Sequence, residues 1–129
     1  MRILLAEDNK TLADWLEKAL RHAGFAVDCM HDGADADHVL LTQAYDLVIL
    51  DLGLPSLDGL SVLEALSRQR PQVPVLVLSA RSDPRTRLAA FTLGAYAYLE
   101  KPFAFDDLLD RVRLQGGRGA ETAFETSAG

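Results

Sequence analysis

Three carboxylates, a hydroxyl and an ammonium stand at the ends of short apolar runs in this chain. Asp51 closes Leu47-Val48-Ile49-Leu50, and Glu7 and Asp8 follow Ile3-Leu4-Leu5-Ala6. Ser79 follows Val75-Leu76-Val77-Leu78, and Lys101 follows Tyr96-Ala97-Tyr98-Leu99-Glu100. If the runs are parallel strands of one sheet, all five side chains gather at its carboxyl edge, where open α/β sheets place ligands. Three acids brought together repel unless a hard divalent cation with oxygen ligands joins them. Mg²⁺ fits, because it keeps several waters and also takes a phosphoryl oxygen. The backbone carbonyl of Gly53 can add to its shell. One Asp51 oxygen then remains to attack a phosphoryl group in line, a reaction in which the protein mainly positions and neutralises charge. Lys101 supplies a compact positive charge and Ser79 a hydroxyl donor for the phosphoryl oxygens.

Each of these residues has a plainer explanation when taken alone. An acidic pair after a strand is more often a helix cap or a solvated loop. Ser79 alone reads as a turn residue and Lys101 as a surface charge. Asp51 is harder to dismiss, since an ionised group ending an apolar strand needs partners. The signal lies in their joint occurrence.

Elements of alternating period must position them. Residues 3–6, 26–30, 47–50, 75–78 and 96–99 read as strands, and the first, third and fourth are apolar throughout, as in a parallel sheet covered on both faces. Between them Leu12, Leu16, Ala19 and Ala23 recur at helical spacing, then Ala36, Val39 and Leu40, then Leu60, Leu63 and Leu66. The last two helical stretches turn Leu88 and Phe91, then Leu108, Leu109 and Val112, inward. Asn9 can cap the first helix and Gly24 can end it. Asp83-Pro84 reads as a cap followed by proline at the first helical position. Five alternations of strand and helix predict an α/β fold with a parallel sheet and right-handed crossovers.

Composition sets outer limits. The chain has 129 residues and a net charge of −6, which predicts one domain and argues against binding a phosphate backbone by itself. Its single cysteine, Cys29, excludes an internal disulfide and suits a reducing cytosol. The N-terminus turns acidic after a short apolar run, and no apolar stretch approaches the length of a membrane span. The expectation is a cytoplasmic protein without membrane contact. Residues 115–129 are mostly small and polar and read as a flexible linker or tail after a domain over 1–114.

The segments Leu5-Ala6-Glu7-Asp8-Asn9, Tyr45-Asp46-Leu47-Val48-Ile49-Leu50-Asp51-Leu52, Leu54-Pro55 with Asp58-Gly59, Ser79-Ala80-Arg81 and Lys101-Pro102-Phe103 closely resemble bacterial two-component response-regulator receiver domains. The resemblance covers about residues 2–114. It implies a flavodoxin-like (βα)5 doubly wound sheet of order 2-1-3-4-5 and a cis Lys101-Pro102 bond. It also implies that Asp51 is the phosphoacceptor, that Glu7 and Asp8 are Mg²⁺ carboxylates, that Ser79 is the switch hydroxyl and Lys101 the phosphate partner. Tyr98 matches the family's switch aromatic. The implied function is to take a phosphoryl group from a sensor histidine kinase and switch a surface that controls output, such as transcription, rather than to be an enzyme for an external substrate.

Asp51-Leu52-Gly53-Leu54-Pro55 and Arg111-Val112-Arg113 resemble the subgroup carrying a winged-helix DNA-binding domain (OmpR-type). In that subgroup DNA is bound only through the output domain, and receivers pair through the fourth helix, fifth strand and fifth helix. Arg87, Asp107 and Arg111 match that interface, whereas Thr92, Tyr96 and Ala97 stand where carboxylates are usual. The missing charges weaken the case for the dimer, and Tyr96 with Ala97 reads either as a more apolar patch for another partner or as a drifted, solvated face. The chain ends in its linker, so an excised receiver and a stand-alone one are both expected forms.

Other readings compete. A flavodoxin-like electron carrier needs a hydroxyl- and glycine-rich phosphate loop, where Glu7-Asp8-Asn9 would repel phosphate. An aspartyl-phosphate hydrolase needs an acid two residues after its nucleophile, and Gly53 stands there. A module that is never phosphorylated would not need the complete acceptor set. His22, His31 and His38 lack metal-ligand spacing and read as solvated. Trp15 reads as packing or as partly exposed, Cys29 as buried and inert, and Arg81, Arg85 and Arg87 as a solvated cluster by default, with partner contact the sharper alternative.

Overall fold

In a computed structural model, described over residues 1–54, 58–81 and 83–116, strand and helix alternate five times. The elements are β1 (Arg2–Ala6), α1 (Lys10–His22), β2 (Ala26–Met30), α2 (Gly33–Thr42), β3 (Leu47–Asp51), α3 (Gly59–Gln69), β4 (Val75–Ser79), α4 (Pro84–Thr92), β5 (Ala97–Glu100) and α5 (Phe105–Gly116). Pro55 and residues 117–129, which include most of the expected tail, lie outside the described residues.

All strand pairs are parallel, and the sheet order is β2-β1-β3-β4-β5, as the alternation and the resemblance predict. Side-chain alternation along the strands divides the core into two layers. Leu4, Ala6, Val48, Leu50, Val75 and Val77 pack with α2, α3 and α4 residues such as Ala36, Leu63 and Ala90. Ile3, Leu5, Leu47, Ile49, Leu76 and Leu78 pack with α1 and α5 through Leu16, Leu20, Leu108 and Val112. Strands β3 and β4 are buried throughout, which explains their unbroken apolar runs.

Helix limits follow from local chemistry. Asn9 accepts the Leu12 N–H through its side chain, and Asp83 does the same for Thr86 with Pro84 next in the chain. Gly59 starts α3 hard against the chain just after Asp51: a Cβ there would sit 2.4 Å from the Leu52 Cα and 2.9 Å from the Asp51 carbonyl oxygen. The Asp58-Gly59 pair thus lets α3 approach the loop that follows Asp51. At the opposite sheet edge, Asp28 accepts from the Arg2 guanidinium at 2.7 Å and from the Tyr45 hydroxyl at 2.8 Å, tying the amino-terminal end of β1 to β2 and to the approach to β3. The apolar pattern carried no sign of that clamp.

Two helical faces differ from expectation. On α1 Leu16 is buried as expected, but the other buried positions are Ala13 and Leu20, while Leu12, Ala19 and Ala23 are only half-buried. On α4 the face is wrong outright: Leu88 is 69% exposed and Phe91 42%, while Thr86 and Ala90 are buried. Small residues let α4 lie close to its neighbours, so its contact line runs through the residues least conspicuous by hydrophobicity. Leu109 on α5 is half-buried rather than buried. Strand β5 begins at Ala97, and Tyr96 joins the edge through its N–H to the Val75 carbonyl at 3.0 Å.

Candidate functional site

The strand order reverses between β1 and β3, and Glu7, Asp8 and Asp51 lie at the carboxyl ends of those two strands. One oxygen from each of the three carboxylates lies within 4.8 Å of the others. Glu7 is wholly buried and Asp51 nearly so, while Asp8 is exposed at the mouth. A cavity of about 330 Å³ is lined by Asp8, Asp51, Gly53, Ser79, Arg81 and Lys101 among others. The expected residues therefore converge from four strand ends and the loops that follow them. A second hollow of about 420 Å³, walled by Leu12, Trp15, Pro102 and Phe103, shares Asn9 and Lys101 with it.

Lys101 reaches into the acidic group. Its Nζ donates to Asp51 Oδ2 at 3.2 Å and lies 2.7 Å from Glu7 Oε1. The Glu7 contact is ionic only, because Oε1 has no partner in hydrogen-bond geometry. Glu7 Oε2 accepts the Asn9 N–H at 3.1 Å, and Asp51 Oδ1 accepts the Gly53 N–H at 3.0 Å. The Lys101-Pro102 bond is cis, as the resemblance implies.

These contacts divide the labour between two carboxyls. Burial and the adjacent Asp51 push Glu7 up to about 7, against the pull of Lys101 and of the Asn9 N–H. Burial works the same way on Asp51, but the Glu7 proton, the Gly53 N–H and Lys101 outweigh it and hold Asp51 below the usual carboxylate range. Lys101 is raised despite its burial, because Glu7 and Asp51 favour its charge. Asp51 is thus the carboxylate that stays ionised, the form a nucleophile requires. A buried Glu7 oxygen lacking a hydrogen bond, beside two more acids, suits a hard cation with oxygen ligands.

Around this group the geometry adds a relay. Ser79 is buried, and its Oγ accepts the Arg81 N–H at 3.0 Å. The Arg81 carbonyl in turn accepts the Tyr98 hydroxyl at 2.8 Å. Tyr98 is buried, with Phe91 beside it at 6.4 Å between ring centroids and the Arg87 guanidinium 5.3 Å from its ring. By sequence Arg81 belongs to a solvated or partner-contacting cluster, with no role for its backbone. Its side chain is exposed, but its backbone joins the two residues assigned to the switch.

The expected interface residues turn partly inward on their own chain. Arg111 Nη1 donates to the Asp107 carbonyl at 2.9 Å, and the Tyr96 hydroxyl donates to the Arg111 carbonyl at 3.1 Å. Trp15 is 49% exposed and meets Phe105 edge-on. Cys29 is half-buried rather than buried, and burial pushes its thiol up to about 11, so it stays protonated near neutrality. Among the histidines, His22 and His38 are exposed as expected. His31 is not simply solvated: its Nδ1 lies 2.9 Å from the Glu7 carbonyl oxygen.

Fold and site together define a doubly wound α/β protein with an acidic, lysine-paired pocket of the kind that handles phosphoryl groups. The family described as response regulator receiver domain matches residues 3–113, and the chain belongs to that family. Its general function is signalling through phosphorylation of an aspartate in two-component systems, a role distinct from catalysis on an external substrate. Receiver domains of this kind partner with histidine kinases and bind Mg²⁺ at an acidic pocket.

Similar proteins agree. The transcriptional regulatory protein TctD of Salmonella typhimurium is 47% identical over 97% of this chain and 56% of its own length. HprR of Escherichia coli, also a transcriptional regulatory protein, is 43% identical over 89% of this chain and 51% of its own. The chain thus spans about half the length of the curated relatives it matches. Among solved structures, the receiver domain of the Francisella response regulator 1452 superposes with a TM-score of 0.87 at 31% identity, covering 92% of this chain and 98% of that one. TrrA of Thermotoga maritima, solved in complex with Mg²⁺ and BeF, gives 0.81 at 30% identity, with 88% and 97% covered.

Proposed function

We propose that Asp51 is the residue that accepts the phosphoryl group, with a sensor histidine kinase as donor and Mg²⁺ held by Glu7, Asp8, Asp51 and the Gly53 carbonyl. The carrying observation is the buried Asp51 carboxylate, kept ionised beside Lys101 and within reach of two further acids. Bound Mg²⁺ would neutralise the acids and the charge developing on the phosphoryl oxygens. Asp51 supplies the attacking oxygen, and Lys101 shifts from pairing with carboxylates to pairing with the phosphoryl group. The exposed apolar rim around Trp15 and Phe103, which adjoins the acceptor, offers the donor protein a place to rest.

Readout passes from Ser79 through the Arg81 backbone to Tyr98. The Ser79 hydroxyl turning toward the phosphoryl oxygens releases the Arg81 N–H and shifts the carbonyl that Tyr98 holds. An equilibrium moved from about 1% to 99% active needs roughly 5.5 kcal/mol of differential stabilisation. Charge-assisted hydrogen bonds to the phosphoryl group, each about 1.5–3 kcal/mol, reach that order. The surface that changes is the α4–β5–α5 face with Arg87, Tyr96, Ala97, Asp107 and Arg111, and its output is transcription through a domain following residues 1–114 and a linker. The similarity to transcriptional regulatory proteins about twice as long as the matched region supports that reading. The setting is the cytoplasm. No helix among the described residues is long and apolar enough to cross a membrane.

Asp51→Asn should abolish labelling by a small acyl phosphate while leaving the unfolding transition in place. Full-stoichiometry labelling of that variant would refute the assignment of the acceptor.

A further inference from the structure

His31 follows β2, and its ring is half-buried with Nδ1 2.9 Å from the Glu7 backbone oxygen. A carbonyl can only accept, so Nδ1 carries the hydrogen, in the neutral ring and the charged ring alike. The N–H of Glu7 is held as well, donating to the Met30 carbonyl at 2.9 Å. Both backbone groups of Glu7 are therefore tied to the end of β2, one through main chain and the other through a side chain.

The carbonyl that His31 holds belongs to the peptide unit joining Glu7 to Asp8, two of the three clustered acids. That unit is planar, so any rotation of it swings the direction in which Asp8 leaves the backbone. The Glu7 carboxylate is fixed separately, by the Asn9 N–H at 3.1 Å and by Lys101 at 2.7 Å. Asp8 is exposed, and its place in the cluster depends on its backbone. That backbone is anchored on one side by His31 and on the other by Asn9, the cap of α1.

We infer that His31 is a positioning residue for the cation site: its Nδ1–H fixes the Glu7–Asp8 peptide and thereby sets how well Asp8 joins Glu7 and Asp51 around Mg²⁺. The inference rests on the reading of these acids as the Mg²⁺ site. Groups that orient metal ligands without touching the metal typically change affinity by about 10–100-fold when removed. An effect near the lower end is expected here, because only one of three carboxylates is repositioned.

The test is calorimetric titration of the whole chain with MgCl₂, comparing wild type, His31→Leu and His31→Asn. Asparagine presents an N–H at the same branch of the side chain as Nδ1, and leucine presents none. His31→Leu should bind Mg²⁺ about tenfold more weakly, and His31→Asn should recover most of that loss. Should His31→Leu not fold, His31→Met, less demanding in shape, carries the same expected loss. Equal affinity in wild type and the apolar variant would overturn the inference. So would tighter binding in the apolar variant, which is the result if the ring acts as a repelling charge, or an asparagine variant as weak as leucine. A wild type that takes up no Mg²⁺ would instead sink the metal reading itself, and this inference with it.

Discussion

Glu7 and Asp51 show how two acids of similar intrinsic strength acquire different tasks. Between about pH 4.5 and 7 the folded protein retains a proton on Glu7 that the unfolded chain has released. Unfolding free energy in a chelator should therefore fall as pH rises through that window. Asp51 has the opposite sign, because its depressed value contributes stability lost only as pH drops below its ordinary 3.8. Unfolding free energies from denaturant titrations at pH 5 and pH 7.5 in EDTA should differ by on the order of 2 kcal/mol, the pair titrating together. Glu7→Gln should flatten the difference, and an unchanged slope would show that the proton resides elsewhere. Lys101 sits between these carboxylates as their counterion. Lys101→Ala should still take up a phosphoryl group while responding weakly, as judged by the change in α4 amide exchange on phosphorylation; a full-sized change would remove Lys101 from the coupling path.

Among the elements, α4 separates a reading by hydrophobicity from a reading by contact. Leu88 and Phe91 are the large apolar residues of the helix, yet both are exposed, and the contact runs through Thr86 and Ala90. Leu88→Ser should change stability by less than about 0.5 kcal/mol, as surface substitutions do. Ala90→Leu should cost about 1–3 kcal/mol through overpacking. Urea denaturation of both decides the matter, since an inward Leu88 would reverse the order. The exposed apolar residues of α4 also bear on function. Phe91 borders the Tyr98 ring, as does Arg87, so movement of that ring would alter the outer surface of the helix directly.

For the whole molecule, the question is what the α4–β5–α5 face would bind if it changes as proposed. Arg111 donates to its own Asp107 carbonyl and receives the Tyr96 hydroxyl on its own, so its groups are partly satisfied within the chain. A second copy would then be held mainly by Leu88, Phe91 and the Tyr96–Ala97 edge. Sedimentation with Mg²⁺ and beryllofluoride should show a weak dimer whose affinity changes little between low and high salt, and Leu88→Asp should abolish it. A dimer that dissociates steeply with added salt would restore the charge-paired interface and refute this one.

Much of this was legible from residue order alone. Short unbroken apolar runs, helical spacing and the caps at Asn9 and Asp83 determine five strands and five helices, because each is a local consequence of backbone geometry. The convergence of Glu7, Asp8, Asp51, Ser79 and Lys101 was legible too, since an ionisable residue that ends an apolar strand has little reason to be there without partners. Tertiary structure alone decided which face of α4 is inward, because a helix whose few apolar residues form no dominant stripe leaves its neighbours to choose the contact line. It alone brought His31 to the Glu7 carbonyl and Asp28 to Arg2 and Tyr45, and set Arg81 as the link between Ser79 and Tyr98. Apart from the local Arg81–Ser79 bond, those contacts join residues far apart in the chain through backbone oxygens or single polar atoms, and no periodicity of side-chain type encodes where a carbonyl will point.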